Sequence, residues 1–130
     1  MKLFRAILGL VAGVFLVLSA GAHSLLGWKA MRAELERLQA PAELVGGLGA
    51  GWIFGGVAML AFGCIVLTLF TQRLRGAPVS LFPANVIGAA YALYGAGALV
   101  ANDFEPQFFV FVIPGVLLLL AGHGGRELVD

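Results

Sequence analysis

The sequence predicts an all-α fold: an integral membrane four-helix bundle with a short amphipathic surface helix between spans 1 and 2. Three observations predict it. Of 130 residues, 61% are hydrophobic and 12% charged, about half the roughly 25% charged share of a soluble domain. The charges gather in a few short clusters. Between the clusters run apolar stretches long enough for a hydrocarbon core of about 30 Å, which takes about 20 helical residues. A chain of this length is a single transmembrane domain, 1–130.

Span 1 is expected over about residues 5–27. Ala6 to Trp28 contains no Asp, Glu, Lys or Arg, and Lys2 and Arg5 precede it. Next comes an amphipathic segment over about 29–40. Trp28, Met31, Leu35 and Leu38 share one helical face, and Lys29, Arg32, Glu34, Glu36 and Arg37 fill the rest. This pattern predicts a short helix on the membrane surface, ending before Pro41. Span 2 is expected over about 50–71, with Leu44–Gly51 as its glycine-rich lead-in. Trp28 and Trp52 then form an interfacial aromatic belt. Arg73 and Arg75 lie in the following turn. Span 3 covers about 83–102, with Ser80 as cap and Pro83 in the first turn. Span 4 covers about 105–123. Pro114 inside it predicts a kink, and Gly124 and Gly125 end it.

Lys2, Arg5, Arg73, Arg75 and Arg126 fall on one side of this arrangement, and Lys29, Arg32 and Arg37 on the other. Five against three favours both termini in the cytoplasm. A competing reading takes Met1–Ala22 as a signal peptide, with Ala20-Gly21-Ala22 as its cleavage site. Apolar residues continue through Leu25, Leu26 and Trp28, which favours a retained span.

Helices in lipid associate through small residues that let backbones approach. Gly9 and Gly13 form one such spacing, Gly47, Gly51 and Gly55 form two more, and Gly88 sits in an every-fourth series in span 3. They are expected to pack helices within one bundle; a dimerisation face is the alternative.

No ionisable side chain falls at midplane, so a proton-coupled transporter is not expected. Cys64 stands alone, which excludes a paired-thiol relay. His23 and His123 lie at opposite ends, so no metal site, haem site or other cofactor is predicted. The net charge of +1 implies no nucleic-acid partner. The Gly46–Gly51 run lacks the Gly-Lys-Ser/Thr ending of a phosphate loop. His23 shares a membrane level with Asp103 and Glu105. Together they could serve as acid, base or ligand contact at the outer lip. The simpler reading is an interfacial histidine, with acids placed for a helix dipole. Tyr91 and Tyr94 lie near midplane. They either bond to a neighbouring helix or line a ligand-binding pocket.

The pattern His23-Ser24-x-x-Gly27-Trp28, followed by an amphipathic stretch and then Gly51-Trp52-x-x-Gly55, resembles small four-span bacterial membrane proteins. In outline it is similar to DoxX-like four-helix proteins. The resemblance implies a helical-bundle fold and a bacterial inner membrane, and no activity. Expected partners are therefore the lipid bilayer and either a second copy or another membrane protein. A structural or accessory component is the leading expectation. A binder or carrier of an apolar or lipid-like molecule comes second, and an enzyme using His23 third.

Overall fold

Long apolar runs without proline let helices extend until a turn residue stops them. The computed structural model describes residues 2–123, and every regular element among them is helical. Helix α1 (Lys2–Gly21) passes through a π-helical segment (Ala22–Gly27) directly into α2 (Trp28–Arg37). Helix α3 spans Ala42–Leu74 and α4 spans Phe82–Ala101. A 3₁₀ turn (Pro106–Phe108) leads into α5 (Phe109–Gly122). Three helices, Leu3–Arg37, Ala42–Leu74 and Phe82–Ala101, are long and apolar enough to cross a membrane; Pro106–Gly122 is shorter. Arg126, Gly124 and Gly125 lie outside the described residues.

Turn chemistry ends each long helix. After α2, Gln39 takes a left-handed conformation (φ 55°). The Gln39 and Ala40 N–H groups then bond back to the Glu36 and Leu35 carbonyls, the pairing of a Schellman cap. Gly76 (φ 79°) does the same after α3. Asp103 (φ 49°) and Phe104 (φ 61°) turn the chain after α4, with the Phe104 N–H bonded to the Leu99 carbonyl. Ser80 accepts from the Phe82 N–H at 3.3 Å, one residue before the Leu81 cap position.

Two expectations are corrected here. Residues 29–40 do not form a separate surface helix, because α2 continues α1 as one helix of 35 residues, about 52 Å long. Nothing in Ala22–Gly27 breaks a helix, and the wider π turn absorbs the change of face. The glycine-rich stretch before span 2 is helical as well, making α3 33 residues long, about 50 Å. Its glycines each weaken the helix by up to about 1 kcal/mol. The apolar residues between them and the contact at Gly49 hold it.

Neighbours run α3–α1–α5–α4, with α3 touching α4 only lightly. Helices α1–α2 and α3 form one antiparallel hairpin, and α4 and α5 another. A Cβ added at Gly63 would lie 2.7 Å from Val17 Cγ2 and 3.0 Å from the Val17 backbone nitrogen. At Gly56 it would collide with Ser24, and at Gly49 it would lie 2.6 Å from the Trp28 ring. Gly49, Gly56 and Gly63 recur every seven residues. That is the period of a left-handed helix pair. Gly9 and Gly13 press on Phe70 and Leu67 from the other side. The second hairpin uses Gly88 and Gly95 against Gly115 and Gly122 with the same spacing.

The small-residue prediction therefore needs adjustment on α3. Gly47 and Gly51 have nothing within 4 Å of an added Cβ, whereas Gly55 faces His23. Gly63→Leu is expected to lower stability in detergent by about 3 kcal/mol through overpacking. Gly47→Leu should be neutral or stabilising by up to about 1 kcal/mol. Thermal melts followed by circular dichroism check both.

The core contains Leu16, Val66, Phe70 and Leu118, all fully enclosed. Pro114 is buried one turn into α5, and the helix runs on across it. At the far end, Arg5 Nη1 donates to the His123 carbonyl at 2.6 Å, satisfying one of the orphan carbonyls of α5. The two hairpins are thus pinned together at the Arg5 end. Because α4 has only 20 residues, the extra length of the α1–α3 hairpin emerges at the opposite end.

Candidate functional site

The π-helical segment and the facing turns of α3 form the most elaborate side-chain arrangement in the chain. A π turn opens the backbone register from i→i−4 to i→i−5 and often marks a site that matters for function. At its end, the backbone N–H of the Trp28 cap reaches the His23 carbonyl. Trp52 Nε1 donates to that same carbonyl at 2.8 Å. The His23 ring returns the bond, with Nε2 3.1 Å from the Trp52 carbonyl. A carbonyl only accepts, so Nε2 carries the proton in this pairing and Nδ1 does not. The two rings stack at 4.7 Å with only 2° between their planes. Trp28 closes the group, 6.5 Å from Trp52 and tilted by 43°.

Each ring lies over a glycine of the opposite helix. A Cβ at Gly55 would be 3.3 Å from His23 Nε2, and one at Gly27 would be 3.1 Å from the Trp52 ring. Gly49 makes the same room for Trp28. His23, Gly27 and Trp28 thus meet Trp52 and Gly55, and Ser24 meets Gly56, forming a clasp across the hairpin. Gly51 lies outside it, and a Cβ added there would meet nothing within 4 Å. Sequence reasoning found Trp28 and Trp52 as an aromatic belt; in the structure both are half-buried and turned toward each other. It did not find Gly49 or Gly56. Their seven-residue spacing with Gly63 was the available signal.

Asp103 and Glu105 are not brought to His23. No ion pair among the described residues joins them. Asp103 occupies the left-handed position of the α4 cap, and Glu105 accepts from Gln107 Nε2 at 2.5 Å. The sequence placed these residues at one height, but their backbones belong to different turns. No group of three or more metal-binding side chains occurs among the described residues.

Tyr91 and Tyr94 point to different surroundings. Tyr91 is buried, edge-on to Phe62 at 6.4 Å and 6.0 Å from Phe111. Tyr94 is 60% exposed and packs edge-on to Phe111 at 4.9 Å. They build an aromatic cluster with α5. The open cleft lies elsewhere, between α2 and α3 beyond the clasp. Its volume is about 770 Å³, with Trp28, Arg32, Glu36 and Gly46 among its walls. Arg32 Nε bonds Glu36 at 2.8 Å on its rim. On the same helix, Arg37 holds the Glu34 carboxyl below the usual carboxylate range.

Both ends of the His23–Trp52 pair are committed to each other. The pair locks two long helices where one of them changes register. No protein family, curated protein or solved structure matches this chain.

Proposed function

We propose that this protein is a structural or accessory component of a bacterial inner membrane, without catalytic activity of its own. It acts as a four-helix transmembrane bundle with both termini in the cytoplasm, and it associates with a second copy through the outward face of α3. One observation carries this reading: on α3, Gly47 and Gly51 lie one turn apart and meet no neighbour within the chain. Gly49, Gly55, Gly56 and Gly63 on the same helix face residues of α1, the π-helical segment or α2, and close approach through small residues is how helices associate in lipid. Further support comes from the core, in which no polar or charged residue is buried among those described. An intramembrane carrier of protons or ions needs such groups.

Large apolar side chains line the outside of the helices that would face lipid. Leu18 is 68% exposed, Leu93 75% and Phe54 73%. A water-soluble protein seldom leaves so much apolar surface uncovered. Arg5, Arg73 and Arg75 sit at the end where the hairpins are level, and the cytoplasm is the side that collects such charges. The α2–α3 hairpin then projects on the opposite side.

Native mass spectrometry in a mild detergent tests the reading. A dimer or larger assembly is expected for the unaltered chain. Gly51→Leu should shift it toward monomer, while Gly97→Leu, on an equally open face of α4, should not. A chain that is monomeric at every concentration, with Gly51→Leu indistinguishable, would contradict it.

A further inference from the structure

The cleft between α2 and α3 combines two kinds of surface that one class of molecule matches. Its floor is made by Gly46, Gly49 and Ile53, small or apolar, and runs down toward the apolar part of the hairpin. Its rim carries Arg32 and Glu36, about 60% and 58% exposed. Trp28 forms the inner wall, and its indole N–H has no hydrogen-bond partner among the described residues, unlike that of Trp52. The volume of about 770 Å³ falls within the roughly 300–1,000 Å³ of small-molecule sites.

The charges on the rim select the occupant. An exposed ion pair contributes little to stability, so Arg32 and Glu36 can each turn to an outside partner at small cost. Guanidinium matches a phosphate by paired hydrogen bonds. A carboxylate one helical turn away needs a donor of opposite charge. A primary ammonium supplies it; a quaternary ammonium has no N–H to donate. An anionic lipid without an amine would leave Glu36 facing negative charge. The apolar floor takes an acyl chain.

We propose that this cleft binds one zwitterionic aminophospholipid, with its phosphate on Arg32, its primary ammonium on Glu36 and a chain lying over Gly46. The proposal rests on the membrane placement given above and is independent of the oligomeric state. It assigns the projecting hairpin a headgroup-reading role at the outer surface.

The test places the full chain in nanodiscs of equal parts ethanolamine, choline and glycerol phospholipids. The lipids retained on release into mild detergent are then identified by native mass spectrometry. One retained ethanolamine lipid per chain is expected, enriched about tenfold over choline lipid, as one charge-assisted hydrogen bond provides. Glu36→Gln should bring the two lipids to near parity. Gly46→Leu should abolish retention, and an added Cβ there meets nothing in the fold, so both variants should keep normal helicity. Equal retention of the three lipids, a preference for the glycerol lipid, or a preference that survives both substitutions would overturn the cleft alone. Failure of the chain to incorporate into nanodiscs would overturn the membrane placement and the cleft with it.

Discussion

Gly115→Ala is expected to destabilise the α4–α5 hairpin by about 3 kcal/mol or more, among the largest effects of any single added methyl in this chain. The added Cβ would lie 2.5 Å from the Ala92 backbone nitrogen, 2.9 Å from the Ala92 Cα and 2.9 Å from the Gly88 carbonyl. All three atoms are main chain, so no side chain can rotate away. The helices must separate, and the contacts of Gly88 with Leu118 and of Gly95 with Val112 loosen with them. Gly97→Ala is the matched control on α4. Its Cβ meets nothing within 4 Å, so the better helix propensity of alanine should make it neutral or stabilising by up to about 1 kcal/mol. Thermal melts in one detergent, followed by circular dichroism, compare the two. Equal midpoints would show that the α4–α5 backbones are not in contact.

Trp52→Ala should cost about 3 kcal/mol, at the lower end for removal of a large aromatic because the ring is only half-buried. The substitution removes the stack on His23, the hydrogen bond to the His23 carbonyl and the cover over Gly27. The effect should be local. Amide hydrogen exchange at Ala22–Gly27 should accelerate strongly while α4 and α5 keep their protection, since opening follows the element that lost its contacts. Trp52→Phe separates the two contributions. It retains a ring for stacking and loses the N–H, so a cost of about 1 kcal/mol is expected. Unchanged protection at 22–27 in Trp52→Ala would mean that the π turn does not depend on the clasp.

Much of the fold was legible because bilayer-length apolar runs and charged turns carry their own punctuation. Ala6–Trp28 and Trp52–Thr71 read directly as helices, and Gly76 is the residue type a helix end needs. The reach of those helices was harder to read. A count of 20 residues measures a membrane, whereas a helix stops only where caps stop it, and none occurs between Lys2 and Leu38 or between Pro41 and Arg75. The π turn has no sequence signature beyond the absence of a breaker. The packing face of α3 was obscured by the abundance of glycine. Gly47, Gly51 and Gly55 keep a spacing of four, yet the partner's side chains at Trp28, Ser24 and Val17 select Gly49, Gly56 and Gly63. For the site, the sequence offered height alone. An expected level for His23 and Asp103 defines only a plane, and contact depends on which helices adjoin. The α1–α3 contact decides it, giving His23 to Trp52.

Insertion of this bundle in a bilayer is the central claim, and thiol labelling tests it most directly. Cys64 is replaced by Ala, and single cysteines are placed at Gln39, Arg75, Leu18, Val57 and Leu93 in sealed proteoliposomes of known orientation. Leu18, Val57 and Leu93 are 68%, 57% and 75% exposed on the protein surface, so the fold of the chain itself does not hide them from a membrane-impermeant reagent. The account predicts rapid labelling at Gln39 from one side, labelling at Arg75 only after the vesicles are opened, and protection at the other three positions until detergent is added. Labelling of Leu18, Val57 and Leu93 as fast as Gln39, or of Gln39 and Arg75 from the same side, would contradict it.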